Sequence, residues 1–366
     1  MSSLFTPWNI GKVQFKHRVV MSPMTRLRNK NYIPTNDVVN YYRQRSSDGG
    51  LIISESIAVG AEGIAWPLMP GIWNQDQVKA WKDVTRAVHC QNGKMFAQLF
   101  HSGRISHSSI LPGNVPPDAP SSIQPKGTTI NAYGQKVPFE IPTAMSEPII
   151  KRAVKLYRQA AMNCMQAEFD GIEIHCGDGF LIEQFMHART NHRTDKYKDP
   201  TLFLAEIIDA VKSSVNIPIG LKITPFGIQN DCFTQDYNEV VNLYNRILNT
   251  ASALDYVTIV EPKINLESSV LRGSIKESLE NSNLLIDRPA ASIFKDTWTK
   301  PIIGCGSYPT TSDQPLLDTT IDAVAYGRWF TSNPTLPDKI KNNLELTPYD
   351  TSTFYTGGNQ GYTTFI

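Results

Sequence analysis

His175 and Asp178 stand three residues apart in the run GIEIHCGDGF that spans Gly171 to Phe180. An imidazole and a carboxyl group offered together from a strand end form a polar pair suited to binding or to proton transfer. The same spacing also fits a core histidine satisfied by its own loop, so the pair takes its meaning from what surrounds it. Gly171 to Ile174 read as a buried strand, because this short apolar run follows a helical stretch and precedes a glycine-rich turn. Gly177 and Gly179 let the chain turn sharply and bring Asp178 back beside the histidine. Cys176 is either a reactive thiol or a small buried hydrophobe.

Other short apolar runs also end in polar residues. Strands are predicted over His17–Met21, Gly50–Glu55, Lys94–Phe100, Ile219–Thr224, Asp255–Val260, Pro301–Gly306 and Asp322–Arg328. Between them, helical spacing is read over Asn36–Arg45, Gln75–Cys90, Glu147–Glu168, Leu202–Ser214 and Tyr237–Thr250, with a last helix near Leu336–Asn343. With the His175 strand this makes eight strands alternating with helices. Such a chain pairs its strands in parallel through right-handed crossovers and closes into a single (β/α)8 TIM barrel over residues 1–366. A doubly wound sheet is the runner-up, disfavoured because no GxGxxG follows the first strand. Barrel enzymes place their working residues at the C-terminal strand ends, which here offer Thr25, Ser56, Gln98, His175, Lys222, Gly306 and Arg328. Two irregular excursions, 105–147 and 261–285, are expected near the same face, where long loops serve as lids.

Composition narrows the partners. Of 366 residues, 35 are Lys or Arg and 34 Asp or Glu, so no overall field draws the chain to nucleic acid or to an anionic membrane. Small molecules are the expected partners, with the protein acting as a monomer or homodimer. No apolar run approaches the roughly 18 residues of a membrane span, and no signal pattern opens the chain. Five cysteines without a CxxC pair fit reduced thiols in the cytoplasm better than a disulfide framework or a metal site.

Phosphate sites in barrels commonly use the loops after the last two strands, which here are Gly304–Ser307 and Gly327–Arg328. Glycines let backbone N–H groups approach an anion, and arginine adds a bidentate fork. The alternative is a turn with a surface ion pair. Gln98 both donates and accepts, as the edge of a heterocycle requires, and Lys222 supplies a charge that would stabilise an anionic ring.

Nearly the whole chain resembles the old yellow enzyme family of FMN-dependent ene-reductases. The matching stretches are SPMTR from Ser22, YYRQR from Tyr41, GLIISE from Gly50, PGIW from Pro70, QLFHSGR from Gln98, FDGIEIH from Phe169 and NHRTD from Asn191. YGR from Tyr326, Asn333-Pro334 and FYTGG from Phe354 complete the set. The resemblance implies FMN across the barrel mouth, with Pro23, Met24 and Thr25 facing the isoalloxazine and the Thr25 hydroxyl tuning it. It places Ser56 and Gln98 on the cofactor, Gln98 at the pyrimidine edge. Lys222 stands where the family usually has arginine, near the flavin N1–C2 carbonyl region. The phosphate would be held by Gly306, Ser307, Gly327 and Arg328, and substrate would meet Phe100, Phe180 and Tyr355. Similar enzymes take hydride from NADPH (or NADH) and deliver it to the β-carbon of an activated alkene.

Two departures strike the chemistry. The family's second carbonyl-gripping residue, Asn or His, is Asp178 here, and the usual proton-donating Tyr is Phe180. Ionised, Asp178 has no hydrogen to give and repels developing oxygen charge; protonated, it gives one. An ionised Asp178 favours a cationic or hydrogen-bond-donating group in place of a bare carbonyl. Phe180 supplies no proton, so the proton comes from water or another residue, or is not needed. Three readings stay open: an NADPH-dependent C=C reductase, an FMN-dependent isomerase or cyclase without net reduction, and a flavin-binding protein without turnover.

Overall fold

The computed structural model describes residues 3–262, 288–306, 308–310 and 320–365. The barrel strands are β1 (Val19–Met21), β2 (Leu51–Ala58), β3 (Lys94–Phe100), β4 (Gly171–Cys176), β5 (Ile219–Ile223), β6 (Tyr256–Val260), β7 (Ile302–Cys305) and β8 (Ala323–Tyr326). They close in sequence order, β8 pairing β1, and every pair is parallel. Both faces of these strands are covered, which is why they read as near-continuous apolar runs. On β4, alternation sends Ile172, Ile174 and Cys176 into the core shared with the helices and leaves Glu173 and His175 for the barrel interior.

Around the barrel run α1 (Asn36–Arg45), α2 (Gln75–His89), α3 (Glu147–Gln166), α4 (Leu181–Met186), α5 (Leu202–Lys212), α6 (Tyr237–Thr250), α7 (Ala290–Phe294), α8 (Arg328–Ser332) and α9 (Leu336–Lys341). α2 starts on a capping box in which the Asn74 side chain accepts from Gln77 N at 3.0 Å while Gln77 Oε1 accepts from Asn74 N. It buries Val78, Trp81, Val84 and Val88, a stripe at helical spacing.

Several boundaries differ from the sequence-based expectation. β2 runs on to Ala58 past a register irregularity between Ile53 and Ser56, and β4 includes His175 and Cys176. An N-terminal hairpin, Trp8–Ile10 with Val13–Phe15, was not expected. Its Phe15 ring sits 4.9 Å from Trp8 and 6.1 Å from Phe96, and Phe96 lies 5.8 Å from Tyr256, so aromatic rings plug the N-terminal end of the barrel. There a Cβ at Gly220 would stand 2.2 Å from the Tyr256 ring, so only glycine fits. The excursion 105–147 contains a hairpin, Thr128–Ile130 with Lys136–Pro138. Residues 263–285 of the second excursion, and Ser307, lie outside the described residues.

Candidate active site

At the C-terminal end of the barrel the residues after β1 turn under the end of β8: Ser22 N donates to Tyr326 O at 2.9 Å. Pro23, Met24 and Thr25 then line a cavity of about 870 Å³, shared with Trp66, Arg328 and Tyr355 and overhung by Ile130 and Gly134 of the excursion hairpin. Gly327 packs beside Met24, and a Cβ there would lie 3.4 Å from the Met24 sulfur. Arg328 opens α8 and is exposed. Its guanidinium lies over the Tyr349 ring at 5.3 Å and has no carboxylate partner among the described residues. Gly306, at φ +87°, is in the left-handed region. At Gly327 this end of the cavity offers an unspent cation beside glycine backbone.

Inside the barrel a polar chain crosses four strands. Ser56 Oγ donates to Gln98 Oε1 at 2.7 Å, Gln98 Nε2 to Glu173 Oε1 at 2.8 Å, and Thr258 Oγ1 to Glu173 Oε2 at 2.5 Å. Burial pushes the Glu173 carboxyl up, against its hydrogen bonds and the nearby Lys222 charge. Gln98 is fully enclosed and shares each amide end with a neighbour, so it does not open directly onto the cavity. One amide proton and one lone pair remain to it.

The next strand ends carry the unusual pair. Parallel register sets His175 of β4 opposite Lys222 of β5. Beyond β4, Asp178 adopts φ +56° and Gly179 φ +74°. Asp178 tolerates this left-handed backbone because local bonds over-determine it. Its N–H donates to Thr224 Oγ1 at 2.8 Å, and its carbonyl accepts from Asn230 Nδ2 at 2.6 Å. Buried Glu183 braces the turn, accepting from Gly179 N at 2.6 Å, from Thr224 Oγ1 at 3.2 Å and from the Tyr244 hydroxyl.

So fixed, Asp178 Oδ2 accepts from Lys222 Nζ at 3.0 Å and lies 3.4 Å from His175 Nε2. Burial works against the Asp178 charge, yet the Lys222 ammonium and the His175 donor hold the carboxyl well below the usual range. Burial likewise opposes the Lys222 charge, and Asp178 outweighs it, raising the ammonium pKa. For His175, burial and then the Lys222 charge lower the pKa, only partly offset by Asp178. At neutral pH the trio is therefore Lys⁺, Asp⁻ and neutral His. His175 Nδ1 is buried without a hydrogen-bond partner, and the carboxylate at Nε2 selects the Nε2–H tautomer.

Phe180, 7% exposed, stands edge-on to His175 at 5.2 Å, to Phe100 at 4.5 Å and to Trp66 at 6.1 Å. Phe100 is fully enclosed behind these rings, so it backs the wall and does not form it, contrary to the expectation that substrate meets it. Tyr355, 63% exposed, hangs over the cavity from a tail pinned by Arg26 and Arg28, which both donate to Phe354 O. Sequence reasoning missed Trp66, Glu183 and Asn230, which no local motif marks.

A mouth lined by Pro23–Thr25 with an unspent arginine at one end suits an anionic cofactor, and a barrel that carries it is of the flavin-dependent oxidoreductase kind. The chain matches the NADH:flavin oxidoreductase / NADH oxidase family over residues 3–347, and it belongs to that family. Within it the chain is an old yellow enzyme relative, an FMN-dependent oxidoreductase of the ene-reductase type. It is 34% identical to the flavin oxidoreductase hxnT of Emericella nidulans over 100% of this chain and 97% of that protein. It is 33% identical to 12-oxophytodienoate reductase 2 of Arabidopsis thaliana over 99% and 95%. An old yellow enzyme homologue from Zymomonas mobilis superposes with TM-score 0.89 at 29% identity, covering 99% of each chain. A morphinone reductase mutant in complex with tetrahydroNAD superposes at 0.87 and 32% identity, covering 99% of this chain and 97% of that one.

Proposed function

We propose that the enzyme takes its electrons from NADPH (or NADH) and reduces the activated C=C bond of a small molecule, with all of 1–366 serving as one FMN-binding barrel. The observation that carries this reading is the cavity of about 870 Å³ lined by Pro23–Thr25, the unpaired Arg328 and Trp66, whose ring meets Phe180 beside His175 of the Lys222–Asp178–His175 rim. Bound there, FMN supplies two-electron chemistry between a nicotinamide and an alkene. Arg328 and the backbone at Gly306 and Gly327, with Ser307, hold the phosphate. Pro23, Met24 and Thr25 support the ring and Lys222 its anionic side, while Gln98, oriented by Ser56 and Glu173, would meet the polar edge only through the one amide proton and one lone pair left to it. His175 Nε2–H grips the substrate's activating oxygen, while Phe180, Trp66 and Tyr355 wall the alkene. A nicotinamide reductant accords with the tetrahydroNAD complex of the similar morphinone reductase.

Phe180 itself brings no hydroxyl, so the proton for the α-carbon comes from water or from another residue. The same feature favours a second reading, isomerisation or cyclisation without net reduction. Anaerobic stopped-flow of the FMN-loaded protein tests both. NADPH is expected to bleach the flavin and an activated alkene to restore it, with one NADPH consumed per alkene. An alkene rearranged while the flavin stays bleached, with no further NADPH consumed, would select isomerisation, and a protein that takes up no FMN would overturn both. All five cysteines are unpaired, which accords with a reducing cytoplasm; we propose a monomer or homodimer there.

A further inference from the structure

We infer that the β4–β5 rim selects an unsaturated cyclic amide, whose activating carbonyl has an N–H beside it on the same edge, over a simple enone. This rests on the ene-reductase reading and names the substrate class of that site. The inventory of the rim leads to it. His175 is neutral and offers one hydrogen, on Nε2, 3.4 Å from Asp178 Oδ2. Asp178 is ionised; Oδ2 serves Lys222, and Oδ1 accepts no hydrogen bond among the described residues. Its side chain is 25% exposed, so the free oxygen can be reached.

The rim therefore presents one donor and one anionic acceptor side by side. A bare carbonyl satisfies the donor and sets its lone pairs against the carboxylate, a repulsion that grows as charge develops on oxygen. An amide edge satisfies both: its C=O takes the His175 hydrogen, and its N–H goes to Asp178. The ring matters, because an acyclic secondary amide is trans and shows these groups on opposite edges. A cationic group, which Asp178 alone would favour, is disfavoured because the Lys222 ammonium already neutralises the carboxylate at 3.0 Å. Bonded through Oδ2 to Lys222, Asp178 is held from swinging away to admit an enone. Its left-handed backbone is tied at N by Thr224 and at O by Asn230. Phe180, edge-on to His175 and backed by Trp66, suits a planar ring.

The test uses the full-length FMN-loaded protein and three inert probes: δ-valerolactam, N-methyl-δ-valerolactam and cyclohexanone. Calorimetry is expected to show the N–H lactam binding at least ~10-fold tighter than either other probe, since each leaves the carboxylate unpaired. In Asp178→Asn the preference should fall below ~3-fold, because asparagine offers cyclohexanone a hydrogen of its own. Asparagine is at ease at positive φ, so the turn should keep its shape. Equal binding of the N–H and N-methyl lactams by the native protein, or a preference that survives Asp178→Asn, overturns the inference. The α,β-unsaturated counterparts, added to photoreduced enzyme, separate the two readings. Reoxidation by enone and lactam alike leaves the ene-reductase standing and removes the amide selectivity. No reoxidation by any alkene, with the N–H binding preference intact, removes the reductase and leaves the rim's selectivity in place.

Discussion

Two charge clusters sit at the C-terminal rim of the barrel, one behind β1 and β2 and one behind β4 and β5, and they spend their hydrogen bonds differently. In the first, Arg26 donates to Tyr41 Oη, Phe354 O and Gly361 O, and Arg45 to Phe330 O, Thr331 O and Tyr362 O. Every one of these guanidinium nitrogens is occupied, Arg45 Nη1 by Tyr41 O of its own helix, and the other carbonyls they hold belong to α8 and the C-terminal tail. In the second, Lys222 and Asp178 bind each other, yet Asp178 Oδ1 and His175 Nδ1 are left over. Cations with every nitrogen spent fix structure, whereas a carboxylate oxygen left open on a part-exposed side chain can meet a ligand. The first cluster therefore holds Tyr355 over the mouth, and the second meets what enters.

The contrast breaks first at Arg45, which is 1% exposed. Arg45→Ala leaves three buried carbonyls without donors and should cost about 3–5 kcal/mol in urea unfolding, at the upper end of single substitutions. A loss below ~1 kcal/mol would mean that the tail holds itself and the network is incidental. Next comes Glu183, the structural carboxylate just beyond Asp178. Glu183→Gln cannot accept all three of its donors and should cost about 2 kcal/mol. It should also loosen the Asp178 turn, read as faster amide exchange at Gly179. Unchanged exchange there would deny Glu183 its bracing role.

These two clusters also divide what the sequence could show. The eight strands and most helices were legible because their apolar runs are local, and β3, α1 and α6 match residue for residue. Asp178 and Lys222 were each legible as unusual, but their bond was not. It depends on the register of β4 against β5, which no local pattern sets. Lys222 was thus assigned to the flavin alone and Asp178's charge left undecided between two states. The arginine clamp was hidden for the same reason, since Arg45 lies 317 residues from Tyr362, its partner in space. The N-terminal hairpin, three residues per strand, is too short for alternation to show.

The Lys222–Asp178 pair itself sharpens the comparison at smaller scale. Asp178→Asn and Lys222→Met should each cost about 1–2 kcal/mol, allowing for the quarter of the carboxylate that meets solvent, and the double variant less than their sum. Asp178 has a depressed folded pKa, so its contribution is present above the unfolded value of about 4 and is lost as pH falls below it. The coupling should therefore be full at neutral pH and fade in acid. Simple additivity at neutral pH would show the two groups to be independent.

Glu55, in the arginine cluster, should behave in the opposite sense. Burial pushes its carboxyl up to about 7, although Asn29 Nδ2 and Arg26 N each donate to it at 3.3 Å. Its folded pKa lies above the unfolded value, so the folded state holds the proton more tightly. Stability is then fullest at low pH and declines as pH rises through the range between the two values. Glu55→Gln removes the titration but also one of two acceptor oxygens, so below that range the native protein should be ahead by about 1 kcal/mol. Toward pH 8 the native protein carries the cost of a buried charge and the variant does not, so the order should reverse by up to ~1 kcal/mol. The crossing in urea stability curves taken from pH 5 to 8 is the observable. A native protein that leads by a constant margin throughout would mean Glu55 is ionised and paired by Arg26 and Arg28. The two clusters would then differ in openness but not in how each handles its carboxylate.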